Sequence, residues 1–93
     1  MNHWIVLFED GPRMQDVRAK YFDAHVKYLT SQPQIFVDGA SLSAEEGGAP
    51  SGGIWIVKSD NREDILALIE GDPMYQSGAR NFKIFATGKI LST

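Results

Sequence analysis

The sequence of 93 residues contains no cysteine, so disulfides cannot stabilise its fold and thiolates cannot bind a metal ion. It also lacks any apolar run that approaches the roughly 20 residues of a membrane-spanning helix. The apolar segment near the N-terminus is too short for a secretory signal, so we expect a cytoplasmic protein with no membrane partner.

Positive charge is scarce as well. Nine lysines and arginines stand against twelve aspartates and glutamates, which gives a net charge of −3. Proteins that bind nucleic acid normally carry a basic patch or stripe, whereas the basic residues here are scattered along the chain. The charge pattern therefore predicts no nucleic-acid partner.

The composition that is present is typical of one compact domain, and we predict that residues 1–93 form a single domain. Hydrophobic residues make up 43% of the chain and charged residues 23%, which excludes a disordered class. A chain of this size buries only about 60–65% of its unfolded surface, so its own core is thin. Additional buried area, such as an oligomer interface, is expected.

Hydrophobic spacing predicts six elements in the order β-α-β-β-α-β. The predicted strands and helices, in chain order, cover residues 3–9, 15–31, 35–42, 54–57, 60–70 and 81–91. We expect the second helix to begin at Asp60, with Glu63 as its capping-box partner, and Gly71 to follow its end. This order is that of an α+β, ferredoxin-like sandwich.

The first strand is apolar on both of its faces. Ile5 and Leu7 alternate with Trp4, Val6 and Phe8, and the third strand has the same character. Two helices can cover only one face of a four-stranded sheet, and a strand with one solvated face would alternate with polar residues. We therefore expect a homodimer in which the open sheet faces of two copies meet.

His25 is the strongest candidate for chemistry. It lies four residues after Tyr21 and seven after Arg18, so the three side chains share one side of the first predicted helix. Imidazole changes its charge near neutral pH and can take up or give back a proton. The alternative is a hydrogen-bonded structural histidine. His3, the other histidine, is expected at the surface of the first strand.

Asp72 is the second candidate, and it permits two interpretations. It directly follows the second predicted helix, where a turn carboxylate accepts hydrogen bonds from nearby backbone amides. It can equally be the carboxylate that orients His25, as in the His-carboxylate half of a catalytic triad. No spacing supports a metal site at His3, Glu9 and Asp10, and we expect no metal or cofactor.

Taken in order, these residues resemble the YCII-related domain family of the dimeric α+β barrel superfamily, over nearly the whole chain. The resemblance rests on the acidic end of the first strand, the Arg–His spacing in the first helix, the second strand, the glycine-rich loop and the Asp-Pro segment: Glu9, Asp10, Arg18, His25, 37–40, Gly53, Asp72, Pro73 and Gly78.

The resemblance implies a homodimer of ferredoxin-like protomers whose sheets pack into a barrel. It also implies a site built around a histidine and an aspartate, which correspond to His25 and Asp72. Arg18 matches a frequent basic position and would hold an anionic group of a substrate. Two positions depart from the family pattern: Phe22 replaces a second basic residue, and Met74 lies between the Asp-Pro pair and Tyr75, whereas an aromatic residue often follows that pair directly.

Three functions are compatible with these residues. The first, which we predict, is a cofactor-independent lyase or isomerase in which His25 and Asp72 perform general acid–base chemistry on a small organic molecule. The second is a non-catalytic dimer that binds a small molecule, including a haem binder with His25 as axial ligand. The third is a structural module in which the two residues form a satisfied polar pair.

Overall fold

The computed structural model describes residues 2–75 and 78–89. Its elements are β1 (Asn2–Asp10), α1 (Met14–Thr30), β2 (Phe36–Leu42), β3 (Gly52–Ser59), α2 (Arg62–Gly71) and β4 (Arg80–Ala86). The predicted order and the α+β class are confirmed, while residues 90 and 91 of the last predicted strand lie outside the described residues. Neither helix in the described part has the length and apolarity that crossing a membrane takes.

The four strands form one antiparallel sheet in the order β2-β3-β1-β4. β1 lies inside the sheet and pairs with β3 on one side and β4 on the other. β2 forms an edge next to β3, with a register shift between Phe36 and Asp38. In this register the last residue of β1, Asp10, lies opposite the first residue of β4, Arg80. Two charged side chains thus meet at one end of the sheet.

The main core lies between the two helices and one face of the sheet. Val6 and Val57 from the central strands and Ile65 and Ile69 from α2 are fully buried there. A second, smaller cluster joins Met14 at the start of α1 to Met74 and Ala79 in the segment after α2. That cluster holds this segment against α1, and the segment begins with Asp72.

The opposite face of the sheet is apolar but uncovered within one chain. It carries Ile5 and Leu7 of β1, which pair with Ile56 and Ile54 of β3, together with Phe85 of β4. Leu7, Ile56 and Phe85 are 38%, 36% and 46% exposed. Within a single chain β1 is therefore covered on one face only, because both helices lie on that face, and the homodimer expected from the sequence stays a prediction.

The start of α2 differs from the prediction, because the helix begins at Arg62 and not at Asp60. Asn61, not Asp60, is the N-cap, and its side-chain oxygen accepts a 2.9 Å hydrogen bond from the backbone N–H of Asp64. Asp64 in turn accepts a 2.8 Å hydrogen bond from the hydroxyl of Ser59. The predicted Asp60–Glu63 capping box is wrong because asparagine, a strong capping residue, directly follows Asp60.

The end of α2 also differs from the prediction. Gly71 is the last helical residue and Asp72 is the C-cap, with extended backbone angles of φ −69° and ψ 127°. Gly71 is required by close packing, since a Cβ at this position would lie 2.5 Å from the hydroxyl oxygen of Tyr28. The absence of a side chain lets Tyr28 of α1 approach the end of α2.

Candidate active site

His25 and Asp72, the two predicted catalytic residues, are in direct contact. Nδ1 of His25, on α1, lies 2.7 Å from Oδ2 and 2.9 Å from Oδ1 of Asp72. The aspartate side chain is completely buried and the histidine side chain is 14% exposed. Because a carboxylate only accepts hydrogen bonds, Nδ1 carries the donated proton, and the neutral imidazole then presents its lone pair at Nε2.

Two backbone hydrogen bonds fix the turn that carries Asp72. Its Oδ1 accepts from the backbone N–H of Met74 at 2.9 Å, and its carbonyl oxygen accepts from the backbone N–H of Tyr75 at 2.8 Å. The carboxylate is therefore both a turn residue and the partner of His25. The two interpretations that the sequence left open occur together.

Tyr28 joins the two helices next to this pair. Its hydroxyl donates a 2.8 Å hydrogen bond to the backbone carbonyl of Leu68 in α2. Burial raises the pKa of Tyr28, and the negative charge of Asp72 raises it further. Tyr28 therefore keeps its proton and its hydrogen bond, which holds α1 at the distance from α2 that the His25–Asp72 contact requires.

Arg80 belongs to the same cluster, although no sequence pattern singled it out. Its side chain is 6% exposed, and Nη2 lies 3.5 Å from Oδ2 of Asp72. The guanidinium lies over the ring of Phe8, 3.9 Å from the ring centroid, which is cation–π geometry. The register of β1 with β4 places Arg80 opposite Asp10, and the turn after α2 brings Asp72 close to it, so no local sequence pattern indicated this cluster.

Burial is the largest influence on the titration of Arg80. It lowers the pKa of the guanidinium, while the carboxylates of Asp72 and Asp10 raise it and the charge of Arg18 lowers it. Guanidinium stays protonated in proteins because its ordinary pKa is far above neutrality. Arg80 is thus a buried positive charge at the site.

Arg18, the predicted substrate-binding residue, forms an ion pair next to Arg80. Its Nη2 lies 2.9 Å from Oδ2 of Asp10, and the two side chains are 20% and 9% exposed. The N–H direction is poor for a hydrogen bond, and neither carboxylate oxygen of Asp10 has a hydrogen-bond partner in the described part of the chain. With His25 neutral, the charges of the two aspartates and two arginines cancel.

A cavity of about 330 Å³ opens beside these residues, between α1 and the sheet. His25, Arg18 and Arg80 contribute to its wall, as do Phe22, Trp55 and Gly53. The ring of Trp55 is stacked at 30° on the imidazole, with 6.3 Å between centroids, and the centroid of Phe22 is also 6.3 Å away. This volume is at the lower end of the range for small-molecule pockets, about 300–1,000 Å³.

The structure does not bring His3, Glu9 and Asp10 together. Over residues 2–75 and 78–89, no group of three or more histidine or acidic side chains is placed to hold a metal ion. His3 lies at the opposite end of β1 from Asp10, where its carbonyl oxygen accepts a hydrogen bond from the hydroxyl of Thr87. His3 is therefore remote from the cavity.

Comparison with protein-family models finds one match, the YCII-related domain, over residues 2–86. None of the curated proteins matches the sequence.

Among solved structures, 5-chloro-2-hydroxyhydroquinone dehydrochlorinase (TftG) from Burkholderia phenoliruptrix AC1100, in complex with 2,5-dihydroxybenzoquinone, is similar. It is 18% identical with a TM-score of 0.75, over 88% of this chain and 89% of that chain. The protein TTHA0845 from Thermus thermophilus is 13% identical with a TM-score of 0.56, over the full length of both chains. At these identities the likenesses show a shared fold.

Proposed function

This chain belongs to the YCII-related domain family, and we propose that it is a small single-domain enzyme that performs proton transfer on a small organic molecule. The observation that carries the proposal is the His25–Asp72 contact of 2.7 Å at the wall of a 330 Å³ cavity. Both residues were singled out from the sequence as an acid–base pair, and their contact is what such a pair requires.

The proposed base is Nε2 of His25. Asp72 holds the proton on Nδ1, so the lone pair is on the other ring nitrogen, and the carboxylate stabilises the imidazolium that forms when Nε2 accepts a proton. Removal of a proton from a carbon next to a carbonyl leads either to loss of a leaving group or to reprotonation elsewhere. The proposed activity is accordingly that of a cofactor-independent lyase or isomerase.

The cavity limits the size and character of the substrate. Trp55, Phe22 and Phe36 give it aromatic walls. Gly39 lets two of these rings approach, since a Cβ at this position would lie 2.9 Å from Phe36 and 3.2 Å from Trp55. The structurally similar TftG is named as a dehydrochlorinase, and an elimination of this kind is within the chemistry that a positioned imidazole supports. This likeness favours a small cyclic or conjugated carbonyl compound as substrate. Arg18, the basic residue predicted to bind substrate, adds positive charge to the same cavity wall.

A substrate screen in D₂O tests the proposal. The protein is incubated anaerobically with 5-chloro-2-hydroxyhydroquinone and with a panel of small enolisable carbonyl compounds, and NMR follows deuterium incorporation and loss of leaving groups. We expect one or more compounds to turn over with wild type and not with the His25→Gln variant. Recovery of every compound unchanged would instead support a binding module.

We also propose that two copies associate through the apolar sheet face formed by Ile5, Leu7, Ile54, Ile56 and Phe85. Exposed apolar area of this extent on a small domain marks an interaction surface, and a twofold contact pairs this face with itself. The proposed partner of the chain is therefore a second copy of itself.

Sedimentation equilibrium is expected to show wild type with the mass of two chains. The Ile56→Lys variant is expected to dissociate more readily, on the order of 100-fold in Kd, because burying an unpaired ammonium costs several kcal/mol. Ala67→Lys, on the exposed side of α2, is the matched control and keeps the wild-type Kd. A monomeric wild type, or equal dissociation of both variants, would contradict the proposed interface.

A further inference from the structure

The guanidinium of Arg80 is buried without a complete set of partners. Nη2 is inaccessible to solvent and has no hydrogen bond within the described residues. The nearest carboxylate oxygen is 3.5 Å away on Asp72, beyond the usual 3.2 Å limit of an N–H···O bond, and that carboxylate already accepts from His25 and Met74. A buried charged donor left without a hydrogen bond costs free energy. Arg80 also lines the cavity, so an anionic oxygen held there would offset part of that cost through its attraction to the guanidinium.

The position of Arg80 indicates that such an oxygen would come from a molecule bound in the cavity. Arg80 lines the same cavity as His25, and the ring of Phe8 supports one face of its guanidinium. We infer that Arg80 binds an anionic oxygen of the substrate, and that the site therefore selects planar enol or phenol anions over their neutral ethers. The inference about Arg80 rests on the proposed function in one respect: it takes the cavity to be the substrate site.

Arg18 is a weaker candidate for the same role. Its Nη2 is 2.9 Å from Asp10, and its side chain is 20% exposed against 6% for Arg80. Solvent screens the attraction between an exposed cation and an anion, whereas the same pair is stronger away from water. Of the two arginines at the cavity, Arg80 is therefore expected to attract an anionic ligand more strongly.

Anion binding at Arg80 also fits the proposed proton transfer. When Nε2 of His25 removes a proton from a carbon next to a carbonyl, the electrons of the C–H bond form a carbon–carbon double bond. The carbonyl oxygen then takes the negative charge, and the imidazole becomes positive. Arg80 would stabilise that oxygen, and Asp72 the imidazolium, so each new charge meets an opposite one.

A pair of quinones tests the inference by binding alone. 2,5-Dihydroxybenzoquinone has acidic enol groups that are ionised near neutral pH, whereas 2,5-dimethoxybenzoquinone has the same ring without charge. Calorimetric titration of wild type is expected to show tighter binding of the dihydroxy compound by about 10- to 100-fold, the range for a hydrogen bond to a charged group. In Arg80→Gln this preference is expected to fall below about threefold.

The control variant is Arg62→Gln, which removes the same charge from an exposed position at the start of α2 and keeps the wild-type preference. Arg80→Lys keeps the charge but loses the planar fork, so we expect an intermediate preference. Circular dichroism melting shows that each variant is folded. If Arg80→Gln does not fold, the test uses Arg80→Lys instead. An unchanged preference for the dihydroxy compound in Arg80→Lys would then overturn the inference.

Three other results would also overturn it: no binding of 2,5-dihydroxybenzoquinone by wild type, an unchanged preference in folded Arg80→Gln, or loss of the preference in Arg18→Gln instead. The His25→Gln variant separates this inference from the proposed function. It is expected to keep the preference for the anion while it loses turnover. A His25→Gln variant that turns substrate over normally would refute the acid–base role and leave the result for Arg80 intact.

Discussion

Replacing His25 by glutamine is expected to lower turnover by about 10²–10⁴-fold, which is the contribution typical of a positioned general base. Glutamine retains a polar side chain on α1 but has no atom that takes up a proton near neutral pH. The loss is expected in kcat and in kcat/KM together, because proton transfer is an interaction made in the transition state. Both constants are measured with the substrate that the D₂O screen identifies.

The control for this variant is Lys27→Gln, which changes an exposed residue of the same helix that does not line the cavity. His25→Gln itself is expected to unfold at lower denaturant concentration, with a cost of about 1.5–3 kcal/mol for the lost hydrogen bond to the charged carboxylate of Asp72. A folded His25→Gln protein with kcat within threefold of wild type would show that Nε2 of His25 is not the base.

Local patterns were sufficient to predict the order of elements, but not their extents. Four apolar residues, 54–57, identified β3, yet the strand runs from Gly52 to Ser59. The additional residues pair with β1 in a ladder from Glu9–Gly52 to Asn2–Ser59. Glycine, lysine and serine have no strong strand preference, so this extension depends on a partner that is distant in sequence.

Residues of the candidate site could be predicted only where the sequence of a single helix or turn was enough to identify them. Helical spacing placed His25 on the inner side of α1, and the end of α2 singled out Asp72. Their contact depends on how closely the two helices approach, which Tyr28 and Gly71 control through tertiary packing. No local pattern encodes that distance.

Phe22 illustrates how a departure from the family pattern can be offset elsewhere. The resemblance implied a basic residue at this position in addition to Arg18, and phenylalanine cannot supply that charge. In the structure Phe22 forms part of the aromatic wall of the cavity, and Arg80 reaches the same cavity from β4. A second positive charge besides Arg18 therefore lines the cavity, and it comes from β4 instead of α1.

Replacing Asp72 by alanine is expected to lower the free energy of unfolding by about 3–5 kcal/mol, the cost of removing one partner from a buried ion pair. The variant leaves Nδ1 of His25 and the backbone N–H of Met74 without their acceptor, and it removes the negative charge next to the guanidinium of Arg80. Denaturant unfolding at one fixed protein concentration measures the loss, since self-association would make stability depend on concentration.

Asp72→Asn separates the structural from the catalytic role of this carboxylate. Its amide oxygen can still accept from Met74, so we expect a smaller loss of stability than in Asp72→Ala. The neutral side chain neither stabilises an imidazolium nor holds the proton on Nδ1, so turnover is expected to fall by about 10²–10⁴-fold. Nitrogen-15 NMR of the imidazole is expected to show the proton on Nδ1 in wild type and a changed tautomer in Asp72→Asn.

Asp23→Asn provides the control for loss of one negative charge, because Asp23 is an exposed residue of α1 outside the cavity wall. It is expected to keep wild-type turnover and tautomer. If Asp72→Asn kept the wild-type rate and tautomer while Asp72→Ala was destabilised, Asp72 would be a structural countercharge only. The rate of Asp72→Asn therefore decides between a catalytic pair and a satisfied polar contact, because that variant changes the charge next to His25 while it keeps the shape of the turn.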